Sequence, residues 1–300
     1  HILVGGLFDE VNGVPRFRLA RLDASGGVDP GFDPHVASWV AAPDVYSIVA
    51  QDDERLVIGG YFDTVNGQTR SGLARLRPDG SLDSDFGGAS LLDGDLPIVT
   101  GIALDGDGRL LVIGTFSTVE SEPRHGIARL DSEGTLDRSF DPGAGIAGGD
   151  LPAVYGAALG PGGWWVIVGE FESFNGTTRL NLAVVRADGS LDPDFAPKGW
   201  MDRGALAAAV DADGNILVGG PFTTIDGKAR QGLARFRSAD PAPASVTIEL
   251  DQATAVVSWK GPGTLQSSDS PIGPWRDEPG LDSPATVSPS QPARFFRVVR

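Results

Sequence analysis

Two tryptophans, Trp39 and Trp200, stand in the sequence beside His35, Asp95, Asp150, Asp202 and Arg203, and this set is the one best suited to hold a ligand. A tryptophan next to charged groups can stack on a sugar ring or anchor a protein contact, because its large face is apolar while its N–H still seeks a partner. The competing expectation is that each tryptophan fills the core. Catalysis has less to work with. The three histidines are His1, His35 and His125 and cysteine is absent, so a His-based triad, a thiolate nucleophile and a Cys-ligated zinc lack their residues. No G-x-S-x-G or H-E-x-x-H motif occurs. With 40 Asp and Glu, a carboxylate pair for glycoside hydrolysis exists in principle, but that chemistry asks only for two acids at a suitable separation. No catalytic residue is singled out, and a non-enzymatic protein is expected.

Two acidic turns, DGDG with Asp105 and Asp107 and DADG with Asp211 and Asp213, are the candidates for calcium. Calcium wants about six to eight oxygens, and neither run carries the further acids of a binding loop. Calcium at these four residues is the one cofactor considered, and otherwise none is expected. Gly143, Gly145 and Gly148 spell a dinucleotide fingerprint by letter alone. That motif works through a helix N-terminus holding a pyrophosphate, whereas here Gly149, Asp150 and Pro152 follow.

The balance of 24 Lys plus Arg against 40 Asp plus Glu gives a formal charge of −16, which repels phosphate backbones and anionic lipid surfaces. Nucleic acid is excluded as a partner, and the charge suits a soluble monomer. No apolar run approaches the roughly 20 residues of a membrane helix, so no membrane insertion is expected.

The elements that must position these residues are short strands. Glycine at 42 residues and proline at 22, with a single methionine, indicate an all-β chain. Phe8, Phe62, Phe116, Phe171 and Phe222 recur about every 54 residues, each after an apolar run ending in glycine (ILVGG, LVIGG, LLVIG, WVIVG, ILVGG). Eight residues beyond each stands an arginine: Arg16, Arg70, Arg124, Arg179 and Arg230. Such a period marks a repeat architecture. Within one unit four strands are predicted: A (VYSIVA, 45 to 50), B (RLVIGG), C (GLARLR) and D (SLDSDF), joined by Asp-Gly turns typical of hairpins. Repeated four-stranded meanders make β-propeller blades.

The pattern xILVGGxFxxVNGxxRxxLARLxxDGSLDxxF resembles the delta-60 repeat, a β-propeller repeat of large secreted bacterial proteins, over about residues 1 to 240. The third unit departs from it with Glu120 and Ser121, and the fourth with AVV at 183 to 185. The resemblance implies a propeller and a secreted or cell-surface location, with protein or glycan partners, and no established reaction. The first unit opens at strand B and the fifth ends after strand C, which suggests residues upstream of His1 and leaves the blade number open.

The repeated arginines face repeated acids, Asp29, Asp83, Asp137 and Asp192, and each arginine is expected to bridge strands or blades through backbone carbonyls or that acid. Asn12, Asn66, Asn175 and Asp226 precede glycine where the B to C turn needs a left-handed residue. Function is then expected where the symmetry breaks, in the D to A connections 33 to 44, 87 to 97, 141 to 152 and 196 to 204, on the face around the channel mouth. Residues 241 to 300 form a second domain whose alternating strands around Trp259, Leu265, Trp275 and Phe295 resemble a small fibronectin type III sandwich.

Overall fold

The apolar runs that end in glycine become the middle strands of successive antiparallel sheets in the computed structural model. The structure describes residues 1–39, 42–87, 92–93, 97–195 and 201–236, together with the backbone of six strands beyond residue 246. All elements among the described residues are strands, and none of these residues lies in a helix able to cross a membrane. The chain divides into two compact units, His1–Phe236 and Arg237–Arg300.

In the first unit, blade 1 contains strand B (Ile2–Gly5) and strand C (Leu19–Leu22). Blade 2 has A, B and C at Asp44–Ala50, Leu56–Tyr61 and Leu73–Leu76. Blade 3 has them at Val99–Leu104, Leu110–Gly114 and Ile127–Leu130. Blade 4 has them at Ala153–Leu159, Trp165–Glu170 and Leu182–Val185, and blade 5 at Ala207–Val210, Ile216–Gly219 and Leu233–Phe236. Strand B sits between A and C throughout blades 2 to 5.

Strand B is apolar along its whole length because both of its faces are buried. Leu110 and Val112 pack toward blade 2, whereas Leu111 and Ile113 pack toward blade 4. The core is therefore a series of layers, one per blade junction, rather than one central mass. The repeated aromatics Phe62, Phe116, Phe171 and Phe222 are at most 2% exposed within these layers.

Strand D departs from the expectation. Its segment contributes one bridge to strand C in each of four blades: Leu22 with Val28, Leu76 with Leu82, Leu130 with Leu136 and Val185 with Leu191. The cause is local. Asp29, Asp83, Asp137 and Asp192 each accept a hydrogen bond from the backbone N–H two residues on, at 2.8, 3.3, 2.9 and 3.0 Å. An Asx turn of this kind competes with the ladder and turns the chain away from it.

Of the two partners expected for the repeated arginines, the backbone carbonyl is the one found and the repeated acid is not. Arg16 donates to the carbonyls of Pro15 and Asp29, Arg70 to those of Thr69 and Ser84, Arg179 to that of Thr178, and Arg124 to the Pro123 carbonyl and the Glu122 carboxylate. These four are buried; Arg16 and Arg70 tie the hairpin to the D segment through backbone oxygens, Arg124 and Arg179 bond within their own hairpins, and Arg230 is exposed. The acids belong to a different arginine, the one within strand C. Arg21 Nε donates to Asp29 at 2.8 Å, Arg75 Nε to Asp83 at 2.8 Å and Arg129 Nε to Asp137 at 2.7 Å. Each of these guanidinium groups lies over the phenylalanine that ends the D segment, Phe32, Phe86 or Phe140, at 4.6 to 5.0 Å. Each also crosses to the next blade and donates to a carbonyl in its C to D turn: Pro78 at 2.5 Å, Ser132 at 2.7 Å and Ala187 at 2.7 Å. Asp192 has only the half-exposed Arg186 at 3.3 Å, because Val184 occupies the strand C position that holds arginine elsewhere.

The second unit contains two antiparallel sheets of three strands. One orders Thr247–Asp251, Thr254–Ser258 and Ala285–Val287; the other orders Arg276–Asp277, Thr264–Ser268 and Phe295–Val299. Trp259 and Trp275 lie outside the described residues.

Candidate functional site

The connection from B to C is itself a small hairpin with two-residue arms, for instance Thr64–Val65 with Gln68–Thr69. Asn12, Asn66, Asn175 and Asp226 turn these hairpins at φ values of 44 to 53°, as the Asn-Gly chemistry requires. In blade 3 Glu120 and Ser121 adopt φ of 50° and 65° without a glycine. The segment arriving from the previous blade adds to each hairpin as a third strand: Val36–Ala37, Leu92–Asp93 and Ile146–Ala147, with a single Met201 to Ile225 bridge in blade 5. The D to A connections and the B to C hairpins thus share one rim. The glycine-rich run from Gly143 to Gly148 lies in this rim as a loop and a strand, without a helix.

Of the predicted ligand residues that the structure describes, His35, Trp39 and Asp150 lie apart along that rim, and Asp202 and Arg203 lie together. The His35 ring packs tilted, at 49°, against Phe17 with centroids 4.7 Å apart, and its backbone exchanges hydrogen bonds with Asn66. Trp39 is 74% exposed, with its backbone N–H on Asp63 Oδ2 at 3.0 Å, so it does not plug the core. Asp150 is exposed in the loop before blade 4. Asp95 and Trp200 lie outside the described residues. Asp202 and Arg203 do share a site, an open cleft of about 720 Å³ at the rim between blades 4 and 5.

Its polar wall consists of Glu170, Glu172, Asn181, Asp202 and Arg203, and its apolar wall includes Phe171, Met201 and Leu206. Tyr155 also lines it, with its hydroxyl 3.4 Å from Glu170 Oε2. Partial burial, and then the neighbouring Glu170 carboxylate, push the Tyr155 hydroxyl above its ordinary value of 10. Asp202 receives the Thr224 N–H at 2.9 Å, the Thr223 hydroxyl at 2.7 Å and the Thr223 N–H at 2.8 Å. These donors hold its carboxyl down at about 2, so it stays ionised and brackets the hairpin. Glu170, Glu172 and Arg203 are exposed and face the cleft, which gives it an acidic character with one cation.

Tyr155 and Leu206 also belong to a smaller hollow of about 250 Å³, lined by Gly101 to Ala103, Gly156, Ala157, Ala207 and Ala208 from three A strands. The cleft therefore adjoins the hollow between the inner strands. Glu170 and Glu172 are the site residues that the sequence reading passed over. Both sit inside the repeat, where the equivalent positions hold Tyr61 and Asp63 or Thr115 and Ser117, so attention to the connecting loops alone misses them.

Of the calcium candidates, the carboxylates of Asp105, Asp107 and Asp211 already hold arginine or amide partners. Burial raises Asp105, but the Arg109 guanidinium and the N–H groups of Arg109 and Asp107 outweigh it and lower the carboxyl overall. Asp211 is lowered first by the Asn215 amide and also meets Arg235 at 3.0 Å. Among the described residues no group of three or more His, Cys, Asp or Glu is placed to hold a metal ion.

Layered sheets, each with an inner strand A against that of its neighbour, define a β-propeller with five blade repeats. The chain belongs to the family described as "Domain of unknown function (DUF5122) beta-propeller", whose model matches residues 1–32, 51–86, 106–140, 161–195 and 212–240, more than half of the sequence. No curated protein sequence matches it. Among solved structures, YCF48 bound to D1 peptide is 15% identical, with 85% of this chain and 72% of that one covered at a TM-score of 0.37. A gluconolactonase from Xanthomonas campestris is 15% identical, with 94% and 78% covered at 0.36. PorZ, a surface component of the type-IX secretion system of Porphyromonas gingivalis, is 12% identical, with 96% and 46% covered at 0.36.

Proposed function

We propose that the first unit is a non-enzymatic binding scaffold whose principal ligand is a protein segment held at the rim, in the cleft between blades 4 and 5. One observation carries this reading: the cleft sets the exposed apolar side chains of Leu206 and Pro221 beside the exposed carboxylates of Glu170 and Glu172. Such a surface favours a peptide that places Lys or Arg beside an apolar side chain. Selection of a displayed random-peptide library on the full 300-residue chain tests it. Enriched peptides should carry that pattern and lose at least tenfold in affinity with Glu172→Lys. Enrichment without the pattern, or binding indifferent to that change, refutes the assignment.

A second reading, a carbohydrate-binding propeller, rests on Trp39, whose 74% exposure leaves its face free to stack on a sugar. A glycan array with and without calcium, repeated with Trp39→Ala, separates the two. A carboxylate-dependent glycosidase ranks below both, and turnover of a chromogenic glycoside would establish it. The resemblance to the delta-60 repeat supports a secreted or cell-surface adhesion role. The two three-stranded sheets of residues 247–299 support a small fibronectin-like module acting as a spacer or attachment point.

A further inference from the structure

The inner strands of blades 4 and 5 depart from a rule that those of blades 2 and 3 keep. One row runs across all four: Ile48 stands opposite Ile58, Ile102 opposite Val112, Ala157 opposite Ile167 and Ala208 opposite Val218. The row is isoleucine in two successive blades and alanine in the next two. Alanine is depleted in strands, yet Ala207, Ala208 and Ala209 stand in succession within strand A of blade 5. The neighbouring row holds Ser47, Gly101, Gly156 and Ala207, and its glycines have a packing reason. A Cβ on Gly156 would come within 3.0 Å of the Leu206 carbonyl oxygen, and one on Gly101 within 3.0 Å of Ile113 Cδ1. That reason does not reach Ala157 and Ala208. What their short side chains leave is the hollow of about 250 Å³, which they line together with Ala207, Leu111 and Ile113. A local preference overridden without a gain in packing marks a place where function is to be sought.

The hollow and the rim cleft meet at Tyr155 and Leu206, which line both. Tyr155 sits at the bulge of strand A, and a bulge re-aims its side chain. In blade 3 the residue at the same bulge is Thr100, whose hydroxyl donates to the Val154 carbonyl and ties the inner strands of blades 3 and 4 together. The Tyr155 hydroxyl instead lies 3.4 Å from Glu170 Oε2, on the cleft side. There the carboxylates of Glu170, Glu172 and Asp202 outnumber the single cation, Arg203, so the cleft favours a positive group. The hollow beside it presents apolar side chains. An apolar cavity of about 150 Å³ accepts a benzene ring, so the larger hollow has room for an aromatic side chain.

Resting on the reading of the cleft as a peptide site, we propose that the bound segment carries an aromatic side chain two residues from its lysine or arginine. The ring seats in the hollow against Ala157 and Ala208, while the cation meets Glu170 and Glu172. The spacing follows from chain geometry. Alternate residues of an extended peptide project to the same side roughly 7 Å apart, so one side chain enters each of the two compartments that Tyr155 joins.

Fluorescein-labelled Gly-Ser-Lys-Gly-Phe-Gly-Ser, and the same peptide with alanine in place of phenylalanine, are the probes, titrated by fluorescence anisotropy into the full 300-residue chain. Ala157→Ile combined with Ala208→Ile restores the residue of blades 2 and 3 and fills the hollow. The phenylalanine peptide should bind at least tenfold tighter than the alanine peptide, and the double variant should abolish that advantage while leaving the alanine peptide unchanged. Equal binding of the two peptides, both weakened by Glu172→Lys, overturns the ring seat and leaves the cleft reading standing. No binding of either at millimolar peptide, or binding indifferent to Glu172→Lys, overturns both. Should the double variant fold poorly, methyl NMR on the unaltered chain decides: the Leu111 and Ile113 methyl signals must shift with the phenylalanine peptide and not with the alanine one, and signals that stay in place overturn the proposal.

Discussion

The junction between blades 3 and 4 and the junction between blades 4 and 5 join the same kind of sheets by different means. At the first, Arg129 is 4% exposed, holds Asp137 within its own blade and reaches the Ala187 carbonyl of the next. At the second, Val184 takes the arginine's place and packs with Val166, Val168, Ile216 and Val218. The cleft opens at the rim of this second junction. A buried guanidinium fixes geometry because each of its donors demands an acceptor, whereas an apolar seam tolerates small sliding at little cost. The cleft thus lies where the directional tie between blades is missing.

This contrast can be broken from either side. Arg75→Ala has the largest expected effect, because Arg75 is fully buried and its removal strips Asp83 of its 2.8 Å ion pair and leaves it the longer contacts of Arg55 and Arg77 at 3.3 Å. A loss of about 3 kcal/mol is expected in denaturant unfolding, and Arg75→Met should show the same defect, since the chain volume is not what matters. Val184→Ala tests the apolar seam and should cost about 2 kcal/mol through two lost carbons and the space they leave.

Acid separates the two mechanisms. Burial raises Asp83, but the Asp85 N–H and the Arg75 guanidinium outweigh it and lower the carboxyl below its ordinary 3.8. A folded-state value below the unfolded one means that its contribution is complete above about pH 4 and is lost as pH falls through the lowered value. The cost of Arg75→Ala should therefore shrink in urea titrations between pH 7 and pH 2, while that of Val184→Ala stays level. A parallel loss in both variants would mean that the arginine tie is not electrostatic.

The smallest effect is expected for Asp202→Asn, which weakens the bracket on Thr223 and Thr224 without reaching the core. Its melting temperature should match that of the unaltered chain, while the Thr223 and Thr224 amides exchange faster. In the unaltered chain the same acceleration should appear only as pH falls toward about 2, where Asp202 protonates.

The strands A, B and C and their blade period were readable because both faces of strand B are buried, which writes an uninterrupted apolar run into the sequence. Strand D was not, since its leucine and aspartate look like strand residues while the aspartate in fact folds back on its own backbone. The arginine pairing misled for a related reason. Arg70 and Arg75 lie 13 and 8 residues before Asp83, and spacing alone cannot tell which guanidinium the antiparallel C to D bridge brings beside it. At the site, Asp202 and Arg203 stood out as breaks in the symmetry, but Glu170 and Glu172 hid inside the repeat.

The tie between blades has a consequence for how such a chain can grow. Arg21, Arg75 and Arg129 each grip a main-chain carbonyl of the following blade, at Pro78, Ser132 and Ala187. A carbonyl is present whatever residue occupies the turn, so this part of the joint needs no matched side chain, although Arg75 also takes the Glu133 carboxylate of blade 3 at 2.7 Å. Duplication, deletion or shuffling of whole blades then preserves this contact without compensating substitutions, and the number of blades can drift while the joint between them stays the same.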